Sequence, residues 1–237
     1  MNNSLKVTLN NLIESGSTSN PALNRLISDY VQYHTVLVII GGLFSFAFML
    51  LGVFCWKMLK STARAKGPSP IFETKIYYYF TVLSGISGLF MTLIVAANVS
   101  NILTPRQGFA GTISAHGKPR IGSQTDQRYR AFNTWLQTQT TDMPSLIQKK
   151  IDRRLEWQRP KAVICTVLLM VFASLSAYIW RALIKRSRLR DITWKLKDAT
   201  LFGAGLLSFT ACLPLMVMVI GNTQSFIAPI TLTLMYG

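Results

Sequence analysis

Long apolar runs alternate with short charged segments along this chain. The last apolar run extends from Ala199 to Gly237 without a single Asp, Glu, Lys or Arg. At about 1.5 Å per helical residue, four of the runs are long enough to cross a hydrocarbon core of about 30 Å. They predict membrane-spanning helices over residues 35–56, 76–103, 162–184 and 199–221. The pattern therefore predicts an all-α fold, an integral membrane four-helix bundle with interfacial amphipathic helices.

Residues 1–34 precede the first span and predict two short amphipathic helices. Leu5, Leu9 and Leu12 share one face of the first helix. In the second, Asn20 is suited to cap the helix and Pro21 to occupy its first position. We expect this second helix to lie in the membrane interface and to lead into the first span, or instead to pack on the bundle or bind a partner.

The segment 104–161 is the longest connection between spans and is predicted to be partly helical. Its first part, residues 105–127, is rich in Gly, Pro and Ser and predicts a loop. Its second part predicts a helix that begins near Asp142 and ends at Pro160. Apolar residues recur on one face of this helix, at Met143, Ile147, Ile151 and Leu155. Basic residues occupy the other faces, at Lys149, Lys150, Arg153 and Arg154. We expect this basic amphipathic helix to lie on the membrane surface.

Residues 222–237 form an apolar C-terminal tail after the fourth span. The polar triplet Asn222, Thr223 and Gln224 interrupts the apolar run at its start. The remainder is too short to cross a membrane alone. It is expected to form a re-entrant or interfacial tail, or to continue the fourth helix.

The spans form two pairs, over residues 35–103 and 162–221. The connection within each pair is short and strongly basic. The positive-inside rule places such connections in the cytoplasm, and hence both termini and the long connection outside. Basic residues are about as numerous on the proposed outer side, but they are less dense there. We expect anionic lipid headgroups to contact the basic side chains beside the spans. These are Lys57, Lys60, Arg64, Arg181, Lys185, Arg186, Arg188 and Arg190.

The net charge of +16 comes from 25 Lys and Arg against nine Asp and Glu. In a soluble protein such a charge suggests nucleic acid, but here the basic residues flank apolar runs. No helix-turn-helix, zinc-finger or RNA-binding signature accompanies them. The expected partner is therefore a bilayer with anionic headgroups, and no nucleic acid is expected.

Small residues four positions apart recur in the spans and let helix backbones approach closely. The pairs are Gly41 with Ser45, Ser84 with Gly88, Ala173 with Ala177, and Ala204 with Ser208. They predict helix packing within the chain or, alternatively, self-association.

A group of amide side chains is the best candidate for a polar functional site. Asn98 and Asn101 end the second span, and Asn222, Thr223 and Gln224 end the fourth. The proposed topology brings both ends to the outer side. Capping or interhelical hydrogen bonding is one expectation, and a constriction or ligand site is the other.

The remaining chemistry-bearing residues form no recognisable catalytic motif. The span centres hold no ionisable group, which argues against a proton-coupled pump or a voltage sensor. His34 and His116 lack Cys, Asp or Glu at metal-ligand spacing, so no metal or cofactor is expected. The segment from Gly111 to Lys118 resembles a phosphate loop, but its spacing is one residue too long and Pro119 follows it. The three cysteines lie in apolar runs and define no disulfide framework.

Together these patterns predict a non-catalytic assembly or accessory component of a membrane complex. We expect it to associate with protein partners or with itself. The alternatives are an oligomeric channel or small transporter, and a membrane-embedded enzyme acting on lipid or peptide. A compact chain without an organellar presequence or secretory signal peptide favours a bacterial inner membrane.

Overall fold

The computed structural model describes residues 4–16, 18–64, 71–115, 119–187 and 196–236. These residues form eight helices and no strand, which confirms the predicted all-α fold. The helices are α1 (Ser4–Glu14), α2 (Pro21–Arg64), α3 (Ile71–Leu103), α4 (Pro105–Ala115), α5 (Gln124–Thr138), α6 (Ser145–Ser187), α7 (Leu196–Ile227) and α8 (Pro229–Tyr236).

The four long helices α2, α3, α6 and α7 are each long and apolar enough to cross a membrane. Their apolar segments match the four predicted spans, so the chain is an integral membrane protein. Helix α2 alone has 44 residues. It is about 66 Å long at about 1.5 Å per residue, roughly twice the thickness of a hydrocarbon core. Much of α2 must therefore lie outside the membrane.

The chain divides into two compact units. The terminal unit comprises Met1–Ile39, Val95–Ala162 and Gly221–Gly237, and the bundle unit comprises Ile40–Ile94 and Val163–Ile220. The starts of α2 and α6 and the ends of α3 and α7 belong to the terminal unit. This unit thus gathers both ends of the chain and the long connection.

The terminal unit has its own hydrophobic core, to which several helices contribute. Leu9, Leu26, Phe109, Trp135 and Leu234 are among its side chains, and each is at most 1% exposed. The apolar faces expected at the membrane interface in residues 1–34 are therefore covered by other helices of this unit. Fully burying such side chains contributes about 1.5–3 kcal/mol each.

The start of α2 confirms the predicted cap. Asn20 Oδ1 accepts a hydrogen bond from the Leu23 N–H at 3.0 Å, as an N-cap side chain does. The Asn20 side chain also donates to the Leu136 carbonyl at 2.9 Å. One buried amide therefore caps α2 and joins it to α5.

The predicted loop over residues 105–127 is wrong at both ends, because α4 covers Pro105–Ala115 and α5 begins at Gln124. Phe109 and Ile113 lie one turn apart on α4, and both are buried in the terminal core. Gly108 lowers helix propensity but permits close packing. A Cβ placed there would lie 2.5 Å from Asn101 Oδ1. Tertiary burial thus overrides the local propensity.

The predicted helix end at Pro160 is also wrong, because α6 continues through it to Ser187. Membrane helices tolerate a proline when other groups satisfy the freed carbonyl. Ile147 and Ile151 on the first part of α6 are buried in the terminal core. The apolar face expected on the membrane surface therefore packs against protein.

The fourth apolar run is not interrupted at Asn222, Thr223 and Gln224, which lie inside α7. The break comes at Ala228, and the short helix α8 follows. Ile230, Leu232 and Leu234 of α8 are buried. Residues 222–227 thus continue the fourth helix, whereas α8, after the break, packs within the terminal unit.

In the bundle unit, aromatic rings join α3, α6 and α7. Phe80 contacts Trp180 and Phe209 edge to face, with ring centroids 5.2 Å apart in each pair. Trp180 also contacts Phe202 at 5.7 Å. Edge-to-face pairs of this kind add about 0.5–1.5 kcal/mol beyond their buried area.

Candidate functional site

The predicted amide cluster is centred on two consecutive residues of α2. Asn98 Oδ1 of α3 lies 2.6 Å from His34 Nδ1. The Gln224 side chain of α7 donates to the Tyr33 carbonyl at 3.0 Å. The ends of the second and fourth predicted spans therefore both bond to α2. The geometry agrees with interhelical hydrogen bonding, the first of the two expectations for this cluster.

The other predicted members of the cluster have different surroundings. Asn101 is half-buried, with its side chain against the backbone of Gly108. Asn222 and Thr223 are half-buried on α7. The structure thus joins Asn98 and Gln224 through α2 and places Asn101 at the α4 packing contact.

Aromatic residues that the sequence analysis did not select surround His34. The Tyr30 ring contacts the His34 ring edge to face at 4.4 Å and the Phe109 ring at 5.3 Å. Tyr30 Oη lies 3.3 Å from Thr112 Oγ1. The signal available in the sequence is the spacing of Tyr30 and His34, which places them one turn apart on the same helix face.

Asp29 is a further buried polar residue that the sequence analysis missed. Its carboxylate accepts hydrogen bonds from the backbone N–H groups of Ile230 at 3.3 Å and Thr231 at 2.6 Å. These groups belong to the first turn of α8, where helix donors lack intrahelical partners. Asp29 therefore caps a helix some 200 residues away in sequence.

The small residues of α2 and α3 pack within the chain. Gly41, Ser45, Ser84 and Gly88 are all buried. Ser45 Oγ donates to the Gly88 carbonyl at 3.1 Å and lies 2.7 Å from Thr92 Oγ1. These two predicted pairs therefore lie in the contact between the first two spans.

The small residues of α6 and α7 behave differently. Ser208 is 2% exposed, whereas Ala173, Ala177 and Ala204 are exposed. The close approach between α6 and α7 is at Gly205, where a Cβ would lie 3.0 Å from Ile179 Cγ2. The sequence analysis searched for small residues four positions apart. It did not select Gly205, because the buried small residue next to it on α7, Ser208, is three positions away.

An apolar groove of about 840 Å³ runs along the bundle unit. Ala173 and Ala177 line it together with aromatic side chains that include Phe54 and Phe80. Trp180 also lines it, and its buried indole N–H donates to no acceptor among the described residues. Arg181 and Lys185, both exposed, stand among its lining residues near the end of α6.

Most residues expected to contact lipid headgroups are exposed. They are Lys57, Lys60, Arg64, Arg181 and Lys185. Arg186 instead pairs with Asp198, whose Oδ1 accepts a hydrogen bond from the guanidinium at 2.6 Å. Arg188 and Arg190 lie outside the described residues. Headgroup contact stays a prediction for the exposed residues.

The structure gives no support to the segment that resembles a phosphate loop. Gly111 lies within α4, and His116 and Lys118 lie outside the described residues. The described residues hold no group of three or more His, Cys, Asp or Glu side chains placed to bind a metal ion. Cys55, Cys165 and Cys212 are buried and form no disulfide with one another.

Comparison with known proteins gives no identification by similarity: no family model, curated protein or solved structure matches the chain.

Proposed function

We propose that this chain is a non-catalytic component of a membrane complex and that it assembles laterally through α6. The observation that carries the proposal is the position of Ala173 and Ala177. Both are exposed, and both line the apolar groove of the bundle unit. The equivalent pairs on α2 and α3 are buried inside the chain.

The occupant that we propose for the groove is a transmembrane helix of a partner protein. Helices associate in lipid mainly through close packing, and two small residues one turn apart admit a neighbouring backbone. The unpaired indole N–H of Trp180 provides a donor for a polar group on the partner. Arg181 and Lys185 favour a partner with an acidic residue at the same depth.

Replacing Ala177 with leucine should disrupt the complex, because the larger side chain fills the space that the partner backbone needs. We expect at least a tenfold loss of partner recovered after purification in mild detergent. Native mass spectrometry would measure the mass of the assembly. Ala204→Leu is the matched control, since Ala204 is exposed but does not line the groove. A complex that survives Ala177→Leu unchanged, or a wild-type protein that purifies as a lone monomer, would contradict the proposal.

We further propose that the short basic connections face the cytoplasm of a bacterial cell and that both termini face outward. The support is the density of basic residues in these connections, including Lys57, Lys60 and Arg64. In a bacterial inner membrane, the same residues are available to anionic headgroups.

A further inference from the structure

Arg128 of α5 is a buried cation without sufficient hydrogen-bond partners. It is only 2% exposed, and its Nε and Nη1 atoms donate to no acceptor among the described residues. Burial lowers the pKa of its guanidinium, yet arginine remains charged in proteins. A buried, unpaired charge is costly, so this side chain requires compensation by a negative group.

Two further cations, Lys150 and Arg154, belong to the same terminal unit as Arg128. Lys150 and Arg154 lie one turn apart on α6, and both are half-buried. The charge of Arg154 acts on Arg128, and the charges of Arg128 and Arg154 both act on Lys150. Like charges brought together in a partly buried place repel each other. Phe132, one turn after Arg128 on α5, shares the terminal core with Ile147 and Ile151 of α6. The three cations therefore belong to two helices that pack in the same core.

No acidic side chain neutralises this cluster within the part of the chain that the structure describes. The salt bridges there join Arg130 to Asp126 and Arg186 to Asp198. The Tyr129 ring lies 6.0 Å from Arg128 Cζ, at the outer limit of a cation–π contact. Among the described residues, the three charges thus have no acidic counter-ion.

The structure assigns Arg128, Lys150 and Arg154 to a binding site for a phosphate group. A planar guanidinium presents paired N–H donors that match phosphate oxygens, and lysine adds a compact charge. Three positive charges suit a phosphate, which carries one to two negative charges near neutral pH. The group comes either from free phosphate in solution or from the headgroup of an anionic phospholipid.

Thermal unfolding of the full chain in a neutral detergent tests the site with inorganic phosphate as the probe. Because a ligand that binds only the folded state raises its stability, phosphate should raise the Tm of the wild type by several degrees. Sodium chloride at the same ionic strength should not. The Lys150→Met/Arg154→Met variant should lose this rise. The matched control is Lys149→Met/Arg153→Met, which removes two exposed charges from the same helix, and it should keep the rise.

The Arg128→Met variant distinguishes loss of the phosphate site from misfolding. It should lose the phosphate response, yet unfold in chloride at a temperature no lower than the wild type, because an uncompensated buried charge is gone. A variant that unfolds at a much lower temperature in chloride would show that Arg128 is satisfied by the protein itself and would overturn the assignment.

Nanodiscs distinguish the two sources of the phosphate group. If the ligand is a headgroup, discs containing phosphatidylglycerol should raise the Tm above that in pure phosphatidylcholine, and added phosphate should have no further effect. If it is free phosphate, the rise should appear in phosphatidylcholine discs on adding phosphate. The site does not exist if neither probe raises the Tm of the wild type, or if the Lys149 and Arg153 variant loses the response equally.

Discussion

Leu234→Ala should destabilise the terminal unit by about 3 kcal/mol, within the range of 2–5 kcal/mol for buried leucines. Leu234 lies on α8, is fully buried and belongs to the core of this unit. The truncation removes apolar contacts and leaves a cavity that the surrounding helices fill only in part. The effect should be large even though the residue lies only three positions before Gly237.

Amide hydrogen exchange of the full protein in detergent would measure this effect. Exchange should accelerate about a hundredfold in α5, whose Trp135 and Leu136 share the core with Leu234. Ile121→Ala is the control, since Ile121 is 74% exposed and should change stability by less than about 0.5 kcal/mol. Equal exchange rates in the two variants would mean that α8 does not support this core.

Asp29→Asn should cost about 2 kcal/mol and release the first turn of α8. The carboxylate accepts two backbone N–H groups in a buried place. Hydrogen bonds to charged groups contribute about 1.5–3 kcal/mol, and a lost partner leaves a buried donor unsatisfied. The asparagine amide has nearly the same shape, but it is neutral and only one of its two terminal atoms can accept.

The amide protons of Ile230 and Thr231 would report this loss directly through faster exchange. Asp152→Asn is the matched control, because Asp152 is exposed and accepts a hydrogen bond from the Gln148 side chain of the same helix at 2.9 Å. It should leave both amides protected. Undiminished protection in Asp29→Asn would show that α8 is held by its apolar face alone.

The membrane-spanning character of the chain could be predicted from sequence because it depends on local composition. A charge-free apolar run of sufficient length has few alternatives to a membrane helix. The Asn20 cap was equally local, since its acceptor and the Leu23 N–H lie three residues apart. Each of these features is decided by neighbours in sequence.

The features that sequence analysis missed depend on partners far away along the chain. The break at Ala228 and the start of α8 accompany a cap by Asp29. The helix at Pro105–Ala115 forms despite its glycines because Phe109 enters a core assembled from both ends of the chain. No local window contains these partners, and polar or glycine-rich segments therefore suggested interruptions and loops.

The candidate sites also divide into features that neighbouring residues indicate and features that depend on tertiary contacts. Small residues four apart lie in the contact of α2 with α3, whereas the contact of α7 with α6 is at Gly205, which that pattern did not select. Arg128 belongs to no motif, and only its burial beside Lys150 and Arg154 distinguishes it from the many other basic residues. Which basic side chains are buried is a tertiary property.

The most direct test concerns the proposed topology, in which both termini and the long connection lie on one side of the membrane, opposite the short basic connections. Ser61→Cys and Ile121→Cys place single reactive thiols in exposed positions of a short and the long connection. The parent protein serves as the control for its three buried cysteines. With a membrane-impermeant maleimide, Ile121→Cys should react in intact cells and Ser61→Cys only after permeabilisation. Reaction of both thiols in intact cells, or of Ser61→Cys alone, would contradict the proposed arrangement.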